Sequence, residues 1–248
     1  MFGMLTALWD EVLLRPIYNL LLWLTTMMPG HNLGLAIIVL TLLIRIVLFF
    51  PTYSSLKQQK SLQQLQPKIN AARTKYANDQ QKQAEEVMKL YKEHGVHPCG
   101  SCLPVLIQLP FLYAVFAVLR NGLDPAYTHY LYASLANFDL NTVNATFLGI
   151  DLTTPDLYIL PILTGVTQFI SMKLAQVKQK AKVRDITPKD AQEPKQMKEM
   201  EQATNSMVYL LPLLLAWFAR SYPAGLSLYW IFSTLFGIGQ QMILNRRD

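Results

Sequence analysis

A polytopic all-α membrane protein is the fold class this sequence predicts, and three observations predict it. Apolar residues make up 52% of the 248 and charged residues only 15%, whereas a typical soluble chain carries about 25% charged residues. The basic residues are gathered rather than spread: eight Lys/Arg lie in 54–98, eight in 173–204 and two in the closing "NRRD", but none in 121–156. Five apolar stretches run between or beside these blocks. With five crossings, all three basic blocks fall on the cytoplasmic side and the bare loop outside, as the positive-inside rule requires. The net charge of +6 is therefore read as topology, not as a nucleic-acid footprint.

Residues 1–30 come first. "IYNLLLWLTTMM" offers only twelve apolar-rich residues before Pro29-Gly30, with Asp10, Glu11 and Arg15 just upstream. That is short for a span of about 20 residues. It suits an amphipathic helix lying in the interface, anchored by Trp9, Tyr18 and Trp23, with the N-terminus outside; a sixth span is the alternative. The opening "MFGMLTALWDEVLL" has no basic n-region and no small-residue cleavage site, so it is not expected to be removed as a signal peptide.

The core, 31–248, reads as five spans at about 33–50, 103–119, 157–172, 207–219 and 226–244. The fourth, "MVYLLPLLLAWFA", is short, but removing it would put the C-terminal arginines outside. Arg220 is the one basic residue at an outer turn, tolerable as a snorkelling side chain. In 54–98, Leu62, Leu65, Ile69, Ala72 and Tyr76 step by three and four, and Ala84, Val87 and Tyr91 restart the pattern after Asn78-Asp79. This predicts a cytoplasmic helical hairpin, with Pro67 bending its first helix or marking a late start. The block 173–204 shows no apolar stripe and two prolines, and reads as a flexible cytoplasmic loop.

Chemistry centres on Arg45, the single charge in Leu33–Phe50. It lies about 18 Å from the outer end of that helix and about 7.5 Å from Phe50 at 1.5 Å per residue. A central arginine costs roughly 2.5–3.5 kcal/mol on insertion scales and usually faces water or a partner. The assigned spans contain no internal Asp or Glu, so the guanidinium needs water: it either snorkels to the interface or lines a wet groove. Gln108, Thr164, Thr167, Gln168, Gln240 and Gln241 read as interhelical glue or as further polar lining. His94, His97, Cys99 and Cys102 fall in "HGVHPCGSC", but their spacing is not a zinc pattern and no βαβ unit surrounds a redox pair. No phosphate-binding loop or H-E-x-x-H motif is present. Neither a metal, a cofactor nor an enzymatic activity is expected.

The order of features carries a resemblance. An arginine in the first core span, a basic hairpin, "CGSCLPVLIQLPFLYAVF", a bare loop, "PILTGVTQF", a basic loop, "LLPLLLAWFARSYPAGLSLYW" and a final "QQ" together resemble the YidC-type membrane protein insertases of the Oxa superfamily. The likeness runs from about Pro29 to Arg247. It is most specific at Cys102–Pro110 and Pro223–Trp230. The resemblance implies a five-span core enclosing a hydrophilic groove, open to cytoplasm and lipid, that inserts nascent membrane proteins without nucleotide hydrolysis. Arg45 matches the family's groove arginine. Gln108, Gln168 and Trp217 fall at groove-lining positions, and Tyr229 and Trp230 match the aromatic pair against which a substrate helix slides. The implied setting is the bacterial plasma membrane, with the C-terminus cytoplasmic. The implied partners are nascent membrane proteins, the translating ribosome through the basic segments, and the Sec translocon. This chain departs from the pattern in lacking the large periplasmic domain and long basic tail of some members, and in carrying Thr234 where Asn is expected and an extra Cys99. A small anion transporter or channel, with Arg45 as its binding charge, is the competing reading.

Overall fold

The computed structural model describes residues 9–76, 79–96, 103–121, 123–186 and 195–246. His97, Cys99 and Cys102 lie outside them. The described chain is almost entirely helical: α1 (Arg15–Met27), entered through a π-helical turn at Asp10–Leu14, α2 (Leu33–Val47), α3 (Phe49–Lys75), α4 (Gln80–Glu93), α5 (Leu103–Asn121), α6 (Ile159–Ile186), α7 (Lys195–Ala219) and α8 (Ala224–Arg246). Two compact units divide it. One is built from residues up to Leu48 with Leu106–Gln168 and Pro212–Asp248; the other from Phe49–Val105 and Phe169–Leu211.

The first unit is organised around α2. Leu33, Ala36, Ile37, Leu40 and Ile44 repeat every three to four residues, so they line one helix face, and all five are buried. That face packs with α8 and α1, in a core shared with Ala114, Val115 and Val118 of α5. Asn32 caps α2 by accepting from the Leu35 N–H at 3.1 Å, which satisfies one of the helix's unpaired first-turn donors. The connector 123–156 is a series of 3₁₀ turns followed by a minimal hairpin, in which β1 (Thr146–Phe147) pairs antiparallel with β2 (Ile150–Asp151). Its two-residue turn has φ +51° at Leu148 and +82° at Gly149, the left-handed backbone that hairpin turns of this length adopt.

The same connector caps α8. The Ala224 N–H donates to Thr154 O at 2.8 Å and the Gly225 N–H to Leu152 O at 3.0 Å. Side-chain atoms of Ile37 and Leu119 crowd the place a Gly225 Cβ would occupy. The "PAGL" motif thus starts a helix whose first donors are met by backbone, at a point where only a small residue fits.

The second unit contains the helical hairpin: α3 and α4 pack together, with Leu62, Leu65 and Ile69 buried. Asp79 caps α4 by accepting from the Lys82 N–H at 3.1 Å, and Gln83 Nε2 donates to Arg73 O at 2.9 Å.

Three expectations change. The apolar run 33–50 is not one helix, because α2 stops at Leu48 (ψ 2°). A helix continued through Pro51 would drive its ring into the Val47 carbonyl, so Pro51 falls in the first turn of α3 instead. Pro67 does not delay α3, which starts at Phe49 and runs on to Lys75. The block 173–204 is not simply a loop: α6 continues to Ile186 and α7 begins at Lys195. By length and composition no single helix among the described residues is apolar enough to cross a membrane; Leu33–Val47 with Phe49–Ser55 passes as a broken pair, and Ile159–Ala175 and Ser206–Ala219 are shorter apolar helices.

Candidate functional site

Arg45 leaves α2 at the edge of its buried face. Ile44 beside it is buried, whereas Leu42, Leu43, Ile46 and Val47 are exposed, and Arg45 itself is half-buried. Its guanidinium meets α8 at Ser233, whose Oγ accepts from Nε at 2.8 Å and from Nη2 at 2.6 Å. Among the described residues no carboxylate pairs with it.

One helical turn before Ser233 on α8, Tyr229 turns its hydroxyl to the same place. Gln108 Nε2 of α5 donates to it, and the Ser233 and Arg45 side chains lie beside it. Arg45, Ser233, Tyr229 and Gln108 therefore form one polar network joining α2, α5 and α8 through an otherwise apolar core. A second, weaker contact lies one residue further on, where Thr234 Oγ1 reaches Gln168 Oε1 of α6 at 3.5 Å.

The residues singled out from sequence thus divide. Arg45, Gln108 and Tyr229 converge, and Gln168 joins α8 at Thr234. Tyr229 is only 2% exposed, so its hydroxyl, not an open ring face, is what it offers. Trp230 is half-buried on the neighbouring side of α8. Trp217, on α7, is 69% exposed. Thr164 and Thr167 donate to carbonyls of their own helix, at Leu160 and Leu163, so they do not glue helices together. Ser233 was the omission: its i, i+4 spacing from Tyr229 is the one signal that places it on the same face. Among the described residues no three His, Cys, Asp or Glu side chains cluster as a metal site.

A second polar cluster lies at α1. Arg15 donates to Tyr130 O through Nε at 3.2 Å, pairs with Glu11 at 2.9 Å and sits over the Tyr132 ring. Asn19, buried, donates through Nδ2 to Arg15 O and Tyr130 O, both at 2.8 Å, and accepts from the Tyr132 N–H at 2.7 Å. Beyond the other end of α1, the Asn144 N–H donates to His31 O at 3.0 Å and Asn32 Nδ2 to Thr146 O at 3.0 Å. The connector therefore touches the first turns of α1 and the segment just past its end.

The sequence family described as "60Kd inner membrane protein" matches residues 23–248. The membrane protein insertase YidC of Fusobacterium nucleatum subsp. nucleatum is 34% identical over 238 residues, covering 93% of this chain and 98% of the relative. YidC 2 of Bacillus anthracis is 32% identical over 245 residues, covering 96% and 82%. The YidC of Campylobacter jejuni subsp. jejuni is 34% identical over 239 residues, 96% of this chain but only 38% of that relative. This chain therefore spans nearly the whole of some relatives and little over a third of others. Among solved structures, an active YidC insertase crystal structure with the first transmembrane domain resolved superposes with a TM-score of 0.59 at 24% identity, covering 93% of this chain and 45% of that one, which establishes the likeness of fold. This chain belongs to the YidC family of membrane protein insertases.

Proposed function

We propose that this chain inserts nascent membrane proteins into the bilayer, using Arg45 as the positive charge of a hydrophilic groove. The observation that carries the reading is the Arg45 guanidinium, half-buried in an apolar helix, held by a hydroxyl and paired with no carboxylate among the described residues. A polar tail crossing hydrocarbon costs several kcal/mol for each unpaired polar group. A wet groove part-way into the bilayer shortens that dry path, and a fixed cation attracts acidic residues of the tail. Partitioning of the substrate's own apolar helix, ~0.8 kcal/mol per buried CH₂, drives the step without a nucleotide.

The topology proposed with this function is a five-span core in a bacterial plasma membrane, with the C-terminus cytoplasmic. The connector's contacts with the first turns of α1 and with the segment just past its end support a helix lying along the outer surface over one that crosses to the other side. The basic segments 54–98 and 173–204 face the cytoplasm, where the translating ribosome is the partner their charge suits, and the Sec translocon is a further one. Membership of an insertase family disfavours the anion-transporter reading.

The test is protease-protected insertion into liposomes of a single-span substrate with an acidic N-terminal tail, by wild type, Arg45→Ala and Arg45→Lys. Loss with Ala and partial retention with Lys is the expected result. Equal insertion by all three would remove Arg45 from the mechanism, and chloride flux without insertion would favour the transporter.

A further inference from the structure

We infer that Ser233 is the positioning residue of the substrate-binding charge: it fixes the Arg45 guanidinium so that its free N–H groups face an incoming carboxylate. The inference rests on the insertase reading and extends it to a residue with no assigned role.

Hydrogen accounting carries it. A guanidinium has five N–H donors and no acceptor. Two of Arg45's bonds, from Nε and Nη2, converge on Ser233 Oγ. A hydroxyl oxygen has two lone pairs, so both are taken and the Ser233 proton must be donated elsewhere. Tyr229 Oη lies beside it, one helical turn earlier on α8. That oxygen receives Gln108 Nε2. Donation therefore converges on α8, from Gln108 of α5 to Tyr229 and from Arg45 of α2 to Ser233. Three of the five Arg45 N–H groups (five less two) meet no acceptor among the described residues.

The unmet groups of the Arg45 guanidinium are consequently all donors. What they lack is an acceptor, best an anion, because charge-assisted bonds to a guanidinium are the strong ones and are frequently bidentate. Ser233, 3% exposed, cannot itself meet a passing chain. Its part is to hold the planar fork at one angle against the entropy of a long side chain. Without it, Arg45 is free to turn toward the interface, with Val47 and Phe50 exposed nearby, and the charge leaves the groove.

The experiment is liposome insertion of two single-span substrates that differ only in an acidic or a neutral N-terminal tail, by wild type, Ser233→Ala, Ser233→Thr, Arg45→Ala and the Arg45→Ala/Ser233→Ala double variant. Each is first checked for an unchanged thermal midpoint in detergent. Ser233→Ala should lower acidic-tail insertion about tenfold, the scale of a lost hydrogen bond to a charged group, and neutral-tail insertion less than about twofold. Ser233→Thr, which keeps the hydroxyl, should restore most of the difference. In the Arg45→Ala background, Ser233→Ala should have no further effect, because coupled residues are not additive. Equal losses for both tails, or a further loss in the double variant, would show that Ser233 only supports the fold. Wild type that inserts neither substrate would instead sink the insertase reading itself.

Discussion

Arg15 and Arg45 are both half-buried arginines in apolar helices, yet they are treated oppositely. Arg15 is surrounded by acceptors: the Glu11 carboxylate at 2.9 Å, the Tyr130 carbonyl at 3.2 Å and the face of Tyr132 5.1 Å from its ring centroid. Arg45 has one hydroxyl shared by two of its nitrogens. A cation whose acceptors come from its own chain fastens one segment to another. A cation left short of acceptors is held in readiness for one that arrives from outside. The difference teaches that charge in an apolar helix is not by itself a site; the partner inventory decides.

Exchanging the two arginines for alanine tests that contrast with the largest expected effect. Arg45→Ala should lower insertion of an acidic-tail substrate by about 10- to 100-fold, the range set by one or two charge-assisted hydrogen bonds, while leaving the thermal midpoint near wild type. Arg15→Ala should do the reverse, with a lower midpoint and insertion per folded molecule within about twofold of wild type. The contrast collapses if both variants lose insertion in the same proportion.

Asn19 sharpens the stability side. It is 4% exposed and its amide meets two carbonyls and one N–H. Asn19→Leu keeps the bulk but leaves the Tyr132 N–H without its acceptor, a loss of roughly 1–3 kcal/mol for an unsatisfied buried group. The readout is faster proteolysis within 123–156 together with a lower midpoint in detergent. A variant as resistant as wild type would mean that the connector is held mainly by its apolar contacts.

Much of this was legible in the sequence, for reasons specific to each residue. Arg45 announces itself because a lone charge in an apolar run has few explanations, and the "PAGL" turn because Pro and Gly punctuate a helix pair. Ser233 does not, since a serine inside an apolar helix looks the same whether it bonds its own backbone, as Thr164 does, or a guanidinium on another helix. The extension of α6 past Met172 was hidden differently. Lys, Gln and Ala in "QVKQKAKVRDI" favour helix by propensity, but they form no apolar stripe, which is the stronger sequence signal of a helix. The break at Leu48 was readable from Pro51 and was masked by unbroken hydropathy across it. Tyr18, expected as an interfacial anchor, is 2% exposed; its spacing from Ile17, Leu21 and Leu22 places it on the core side of α1.

Gly34 probes the far end of the connector, and the expected effect is smaller. A Cβ at this position would run into the Phe147 ring of β1, so Gly34→Ala must push the hairpin away. Overpacking of this kind costs about 1–3 kcal/mol, offset in part by the better helix propensity of alanine, up to ~1 kcal/mol. The double variant Gly34→Ala/Phe147→Ala should recover part of the lost midpoint, and a coupling near zero in that cycle would show that the ring moves aside at no cost. Insertion should change far less than in Arg45→Ala, because the Arg45 network does not include β1.

The smallest effect separates the two arginine regions by pH. Tyr130 lies in the connector; its hydroxyl donates toward Asp10 at 3.4 Å. Burial pushes its ionisation above the ordinary tyrosine value of 10.0, and the carboxylate of Asp10 beside it pushes the same way. Ionised Tyr130 is thus disfavoured in the folded state relative to the unfolded one. With the folded value raised, its contribution to stability is fully present below pH 10.0 and declines as pH rises from there through the folded value. Tyr130→Phe removes that proton. Thermal midpoints followed from pH 8 to 11 should therefore fall less steeply for Tyr130→Phe than for wild type, with the gap opening only above about pH 10. Parallel curves would mean that Asp10 and Tyr130 do not sense each other, and that the α1 clamp rests on Arg15 and Asn19 alone.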